Sequence, residues 1–177
     1  MSDLLHQIQH LAAHHAADTV ALRRHLHAHP ELSFEETNTA AFVTRELEKL
    51  GLHPQPIANT GVVALIEGRP GGPTIALRAD MDALPITEAN DVPYKSTKPG
   101  VMHACGHDVH TASLLGAARI LNELKGEFQG TIKLMFQPGE ERLPGGACTP
   151  WKAPRCHGAQ PARISIAIFR PLQTLAA

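Results

Sequence analysis

The chain has 177 residues, with 16 Lys and Arg against 17 Asp and Glu, 43% apolar residues and only 4% aromatic ones. That length suffices for a domain with a real core. The near-zero net charge gives no electrostatic reason to expect nucleic acid or an anionic membrane as a partner, and no run approaches the ~18 apolar residues of a membrane span.

Residues 3–28 contain neither Gly nor Pro and read as a helix ending before Pro30. Leu4, Ile8 and Leu11 share one face of it, as do Leu22 and Leu26. Several of the twelve histidines, His6, His10, His14 and His15 among them, fall in this stretch and read as a compositional feature of an exposed helix. The first twenty residues lack a basic leader followed by an apolar stretch, so no secretory signal is expected. Three cysteines are too few for a disulfide framework and point to a reducing, cytoplasmic setting.

A second helix is predicted over 36–50, where Ala40, Val43, Leu47 and Leu50 recur at helical spacing and Gly51 offers a stop. The period then changes. "TGVVALIEG" and "PTIALRADM" are short, aliphatic and bounded by Gly and Pro, so both read as strands, with "RPGGP" as the turn between them. Residues 85–101 are polar and Pro-rich, a loop. A helix returns from Asp108 to about Lys125, with Leu114, Leu115, Ala118 and Leu121 on its apolar face, and "GTIKLMFQP" is another strand. This alternation predicts an α/β domain, a layered sheet flanked by helices. From Cys148 onward the texture changes. The last thirty residues contain no acidic group and show no clear period until "ISIAIF".

Three clusters can carry chemistry. "MHACGHDVHTA" (102–112) packs His103, Cys105, His107, Asp108 and His110 into eight positions, just where a helix begins. Cys105 and His107 flank Gly106, so a turn there can aim thiolate and imidazole at one point. Both suit a borderline-soft divalent metal such as zinc, and helix amides would favour the thiolate. Asp108 could cap the helix or support a ligand. The plainer reading is a buried cysteine beside helix-cap residues. In "TIALRADMDALP", Asp80 and Asp82 lie two apart at the end of a strand, the edge where open α/β sheets place ligands. They can bind a metal, orient a histidine, or be solvated turn carboxylates. In "LMFQPGEERLPGGA", Glu140 and Glu141 follow an apolar strand through a Pro-Gly turn. Adjacent carboxylates diverge, so one can bind a metal while the other serves as general base; taken alone, the pair also fits a charged surface turn.

Together "RRHLHAHPELSFEET", "ALRADMDALPI", "MHACGHDVHTASLLGAA" and "FQPGEERLPGGA" resemble the metal-dependent amidohydrolases that include hippurate hydrolase, N-acyl-amino-acid amidohydrolases and plant auxin-conjugate hydrolases, within the aminoacylase and carboxypeptidase metallohydrolase group. The match runs over roughly residues 20–147, in order. The resemblance implies a zinc-exopeptidase-like catalytic domain with two divalent ions, Zn, Mn, Co or Ni. It implies Cys105, His107 and Glu141 as metal ligands, Glu140 as general base and Asp82 as the aspartate that tunes the centre. Asp80 occupies the place where related carboxypeptidases carry a metal-binding histidine. The implied reaction is hydrolysis of the amide of a small N-acyl amino acid to a carboxylate and an amino acid, in an enzyme that pairs as a homodimer or higher oligomer.

The sequence also departs from that pattern. The family uses two further histidine ligands, one about two dozen residues past the double glutamate and one near the end of a chain about twice as long. Here only His157 follows Glu141, and Ile168 precedes Pro171 where "G-x-H-x-x-P" is expected. The expectation is therefore an N-terminal part of the catalytic domain at 1–147, an atypical tail at 148–177, no dimerisation domain, and impaired activity. A reading-frame shift near Ala147 would account for it. The alternative is a metal-binding fragment without hydrolase activity. A zinc module built from Cys148, Cys156 and His157 fits no compact finger spacing.

Overall fold

The computed structural model describes residues 2–143 and 145. Cys148, Cys156, His157, Ile168 and the "ISIAIF" segment lie outside the described residues. Helix α1 spans Ser2–Ala28, α2 Thr37–Lys49 and α3 His107–Glu123. Strands are β1 Gln55–Ile57, β2 Gly61–Glu67, β3 Arg69–Asp80 and β4 Gln129–Gln137. The α/β class and the long helices match the reading of the sequence to within a residue or two. The three-residue β1 has too little pattern to announce itself.

The strands form one sheet in the order β1-β2-β4-β3. β2 runs antiparallel to β4, whereas β3 runs parallel to it. In register, Val62, Ala64 and Ile66 of β2 lie beside Phe136, Leu134 and Ile132 of β4, which in turn lie beside Ala79, Leu77 and Ile75 of β3. The period-2 alternation thus puts one apolar set on one face. There α2 contributes Val43 and Leu47, and α3 contributes Leu114, Leu115 and Ala118, to a single buried core. Helix α1 packs along α3, with Arg119 donating to Asp18 at 2.6 Å.

The "RPGGP" segment is not a turn. Residues 69–73 belong to β3, with a register shift between Arg69 and Thr74. The reason is topological. β4 inserts between β2 and β3, so the connection must cross two inter-strand spacings, about 10 Å, and a tight turn is too short. The crossing chain is pinned to the start of β4, Gly68 N–H donating to the Gly130 carbonyl and Arg69 N–H to that of Phe128, each at 2.9 Å.

Because β3 and β4 are parallel neighbours, their carboxyl ends coincide: Asp80 pairs with Gln137, and Met81 N–H donates to the Gln137 carbonyl at 3.0 Å. Asp82 and the Pro138–Glu141 loop therefore leave the sheet side by side. Among the described residues, no helix is long and apolar enough to cross a membrane.

Candidate metal centre

His107 is the hub of this edge. Gly106 adopts a left-handed conformation (φ 81°) immediately before α3, which glycine tolerates without a Cβ clash, and His107 is the first residue of the helix. Its Nδ1–H donates to the Asp82 carbonyl at 2.9 Å and to Asp82 Oδ1 at 3.2 Å. That fixes the ring and leaves Nε2 facing two acids, Glu141 Oε1 at 3.8 Å and Glu140 Oε2 at 3.9 Å. These three ligand atoms all lie within 4.8 Å of one another. The gaps exceed a hydrogen bond and suit donors arranged around one ion. Burial lowers the tendency of His107 to protonate, but hydrogen bonding to Asp82 and the charges of Asp80 and Asp82 outweigh it and raise its pKa.

Asp82 is itself 1% exposed. Its Oδ2 accepts from Ser33 Oγ at 2.7 Å and from the Glu141 amide at 2.9 Å. Burial pushes its carboxyl up, yet the bonds from His107, the Glu141 amide, Ser33 and the Glu140 amide hold it down at about 2. An ionised carboxylate behind a histidine is the usual way to orient an imidazole ligand.

Cys105 is exposed and sits by Glu141. Here the surrounding carboxylates oppose the helix-favoured thiolate. Hydrogen bonding with Glu141, partial desolvation, and the charges of Glu141, Glu140 and Asp82 push the thiol up to about 11. Three carboxylates around one thiol outweigh the partial charge of a helix end. The donor set of His107, Glu140 and Glu141 carries excess negative charge that a divalent cation would neutralise, so these residues fit a metal; Cys105 borders Glu141 but stands outside this three-ligand group.

A second cluster joins Asp80, His107 and His110. His110 Nδ1 is 3.7 Å from Asp80 Oδ2, and the His107 and His110 rings stand 5.2 Å apart. Asp80 is also bound by the Arg78 guanidinium, which already supplies a positive partner. Asp108 does not cap α3, whose N-cap residue Gly106 makes no side-chain bond. Instead Asp108 is buried, and its Oδ2 lies 2.8 Å from both Arg23 Nε and His27 Nδ1. His27 Nε2 in turn meets Glu88 Oε1 at 2.9 Å. Burial pushes Glu88 up, but His27, the Ser96 amide and Asn90 hold it at about 2. His103 is buried, with neither ring nitrogen partnered among the described residues, and burial lowers its pKa to about 4.

Reading the sequence alone missed how the "PELSFEE" stretch supports the site. Besides Ser33, the fully buried Glu36 accepts from Gly139 N–H at 2.7 Å and from Thr60 Oγ1 at 2.5 Å. It tethers the loop that carries Glu140 and Glu141. The available signal was an acid inside an otherwise short connecting segment, which composition cannot distinguish from a surface charge.

Fold and geometry together define an α/β domain that gathers metal-ligand side chains at one sheet edge. Residues 76–164 match the family model described as Peptidase family M20/M25/M40. The chain belongs to this family. It is 53% identical over 131 residues to the putative amidohydrolase YhaA of Bacillus subtilis, covering 73% of this chain and 33% of that protein. It is 50% identical over 142 residues to an N-acyl-L-amino acid amidohydrolase of Geobacillus stearothermophilus, covering 80% and 38%. The crystal structure of the Bacillus subtilis YXEP protein, described as a dinuclear metal-binding peptidase of the M20 family, superposes with a TM-score of 0.67 at 48% identity, covering 69% of this chain and 35% of that one. The chain spans about a third of the length of the curated relatives it matches.

Proposed function

We propose that this chain carries the core of a metal-dependent amidohydrolase acting on small N-acyl amino acids, with residues 1–147 as the N-terminal part of the catalytic domain. The observation that carries the reading is His107, pinned through Nδ1 by Asp82 and facing two carboxylates through Nε2. Cys105, His107 and Glu141 would hold the ion. When bound, it supplies Lewis acidity toward the acyl carbonyl and toward water. Asp82 keeps the His107 ring turned so that Nε2 points into the site. The two glutamates divide the remaining work by exposure: the Glu141 side chain is 20% exposed and that of Glu140 44%. The more enclosed acid suits the ligand role. The more open one can take a proton from the attacking water and pass it to the leaving amine. Water adds across the C–N bond, giving a carboxylate and a free amino acid. The names of the relatives, an N-acyl-L-amino acid amidohydrolase among them, support this substrate class, and hippurate belongs to it.

The purified chain, loaded in turn with Zn, Mn, Co and Ni, is to be assayed for amino-acid release from N-acetyl amino acids and hippurate. Turnover that disappears in Glu140→Gln while bound metal stays supports the proposal. The alternative is a metal-binding unit without turnover. Stoichiometric metal with no hydrolysis of any substrate would establish that one instead.

A further inference from the structure

We infer that α1 carries a second, peripheral metal site, a His10–His14 chelate for a late divalent transition ion, independent of the centre at His107. His6, His10 and His14 recur every fourth residue on α1, and all three are exposed. Side chains four apart on a helix lie on one face, one turn above the other, the spacing by which paired histidines on a helix hold zinc in other proteins. The His10 and His14 rings are already parallel, 3° apart in plane, with centroids at 6.4 Å. Metal–nitrogen bonds of about 2.1 Å bring two rings on one ion to centroid distances of about 5 Å. Exposed imidazoles close that gap by small side-chain rotations.

The surroundings favour this pair. No Lys or Arg precedes Arg23, so no fixed cation competes on the first five turns. His15, edge-on to His14 at 4.7 Å, is taken by Glu123, whose Oε1 lies 2.7 Å from His15 Nε2. Both His10 and His14 are exposed, which leaves an ion between them open to water. Among the described residues, no three-ligand cluster includes these histidines, so water completes the coordination. Two imidazoles plus water suit a tetragonal Cu(II) best, and affinity should fall from copper to nickel and zinc.

The test uses the untagged full chain titrated with Cu(II), Ni(II) and Zn(II), with stoichiometry by calorimetry and broadening of histidine ring protons by substoichiometric Cu(II). Among the histidines of α1, broadening should reach His10 and His14 first. His14→Ala should weaken this site about tenfold or more, as one of two coordinating nitrogens is lost, and His10→Ala/His14→Ala should abolish it. Alanine at exposed helical positions favours the helix, so these variants should fold. A Cys105→Ala chain should keep the α1 site, which separates this inference from the one about the main centre. Undiminished binding in the double variant overturns the proposal, as does binding lost on His6→Ala but kept on His14→Ala.

Discussion

The loop bearing Glu140 and Glu141 is shaped by a contact between Gly139 and Phe34, and Gly139→Ala tests it. Gly139 has φ 61°, and a Cβ there would lie 2.4 Å from the Phe34 ring. Two costs follow. A left-handed non-glycine residue costs about 1 kcal/mol, and overpacking against the ring adds about 1–3 kcal/mol. Gly139→Ala should therefore destabilise the chain by about 2–4 kcal/mol. The two parts separate in a Phe34→Ala background, where only the backbone cost of about 1 kcal/mol remains. The assay is urea unfolding followed by circular dichroism on wild type, both single variants and the double variant, with the denaturant slope checked for constancy. The cycle should show a coupling of about 1–3 kcal/mol between the two positions. If Gly139→Ala costs the same in both backgrounds, to within about 0.5 kcal/mol, the ring does not shape the loop and this account of the site is wrong.

Asp82→Asn should flatten the acid limb of stability. The Asp82 pKa falls from an ordinary 3.8 to about 2, so its contribution is present above about pH 4 and lost as pH drops toward 2. The shift is worth about 2 kcal/mol. Unfolding midpoints at pH 2 and pH 5 should differ less in the variant by that amount, while Glu88, also held at about 2, keeps its own slope in both. His27→Ala removes the group between Asp108 and Glu88 and should cost about 3 kcal/mol; a loss under 1 kcal/mol in urea titration would count against a working network. Cys105→Ala should lower metal affinity at the main centre in a chelator competition and abolish any thiolate-to-metal absorption with Co(II). Unchanged cobalt spectra would remove the thiol from the ligand set.

Much of the architecture was legible in the sequence. The apolar spacing of Val43 and Leu47, the alternation through Val62, Ala64 and Ile66, and the Gly and Pro boundaries announce α2, β2, β3 and β4 because burial acts on one face at a time. Cys105, His107, Asp82, Glu140 and Glu141 were also legible as candidates, since their chemistry is unusual at that density. The crossing at Arg69–Pro73 was not. A turn and an extended crossing share the same Gly and Pro, and only the insertion of β4 between β2 and β3 distinguishes them. Asp108 likewise looked like a cap, whereas its partners are Arg23 and His27 of α1, some eighty positions away. Local pattern determined which segments become helix or strand and which residues have metal-binding chemistry. Tertiary structure alone decided that His107 stands between Asp82 and two glutamates, that Glu36 and Phe34 hold the loop at Gly139, and that the thiol meets carboxylates rather than a bare helix end. Those relations depend on distance and orientation between remote segments, which a one-dimensional pattern does not carry.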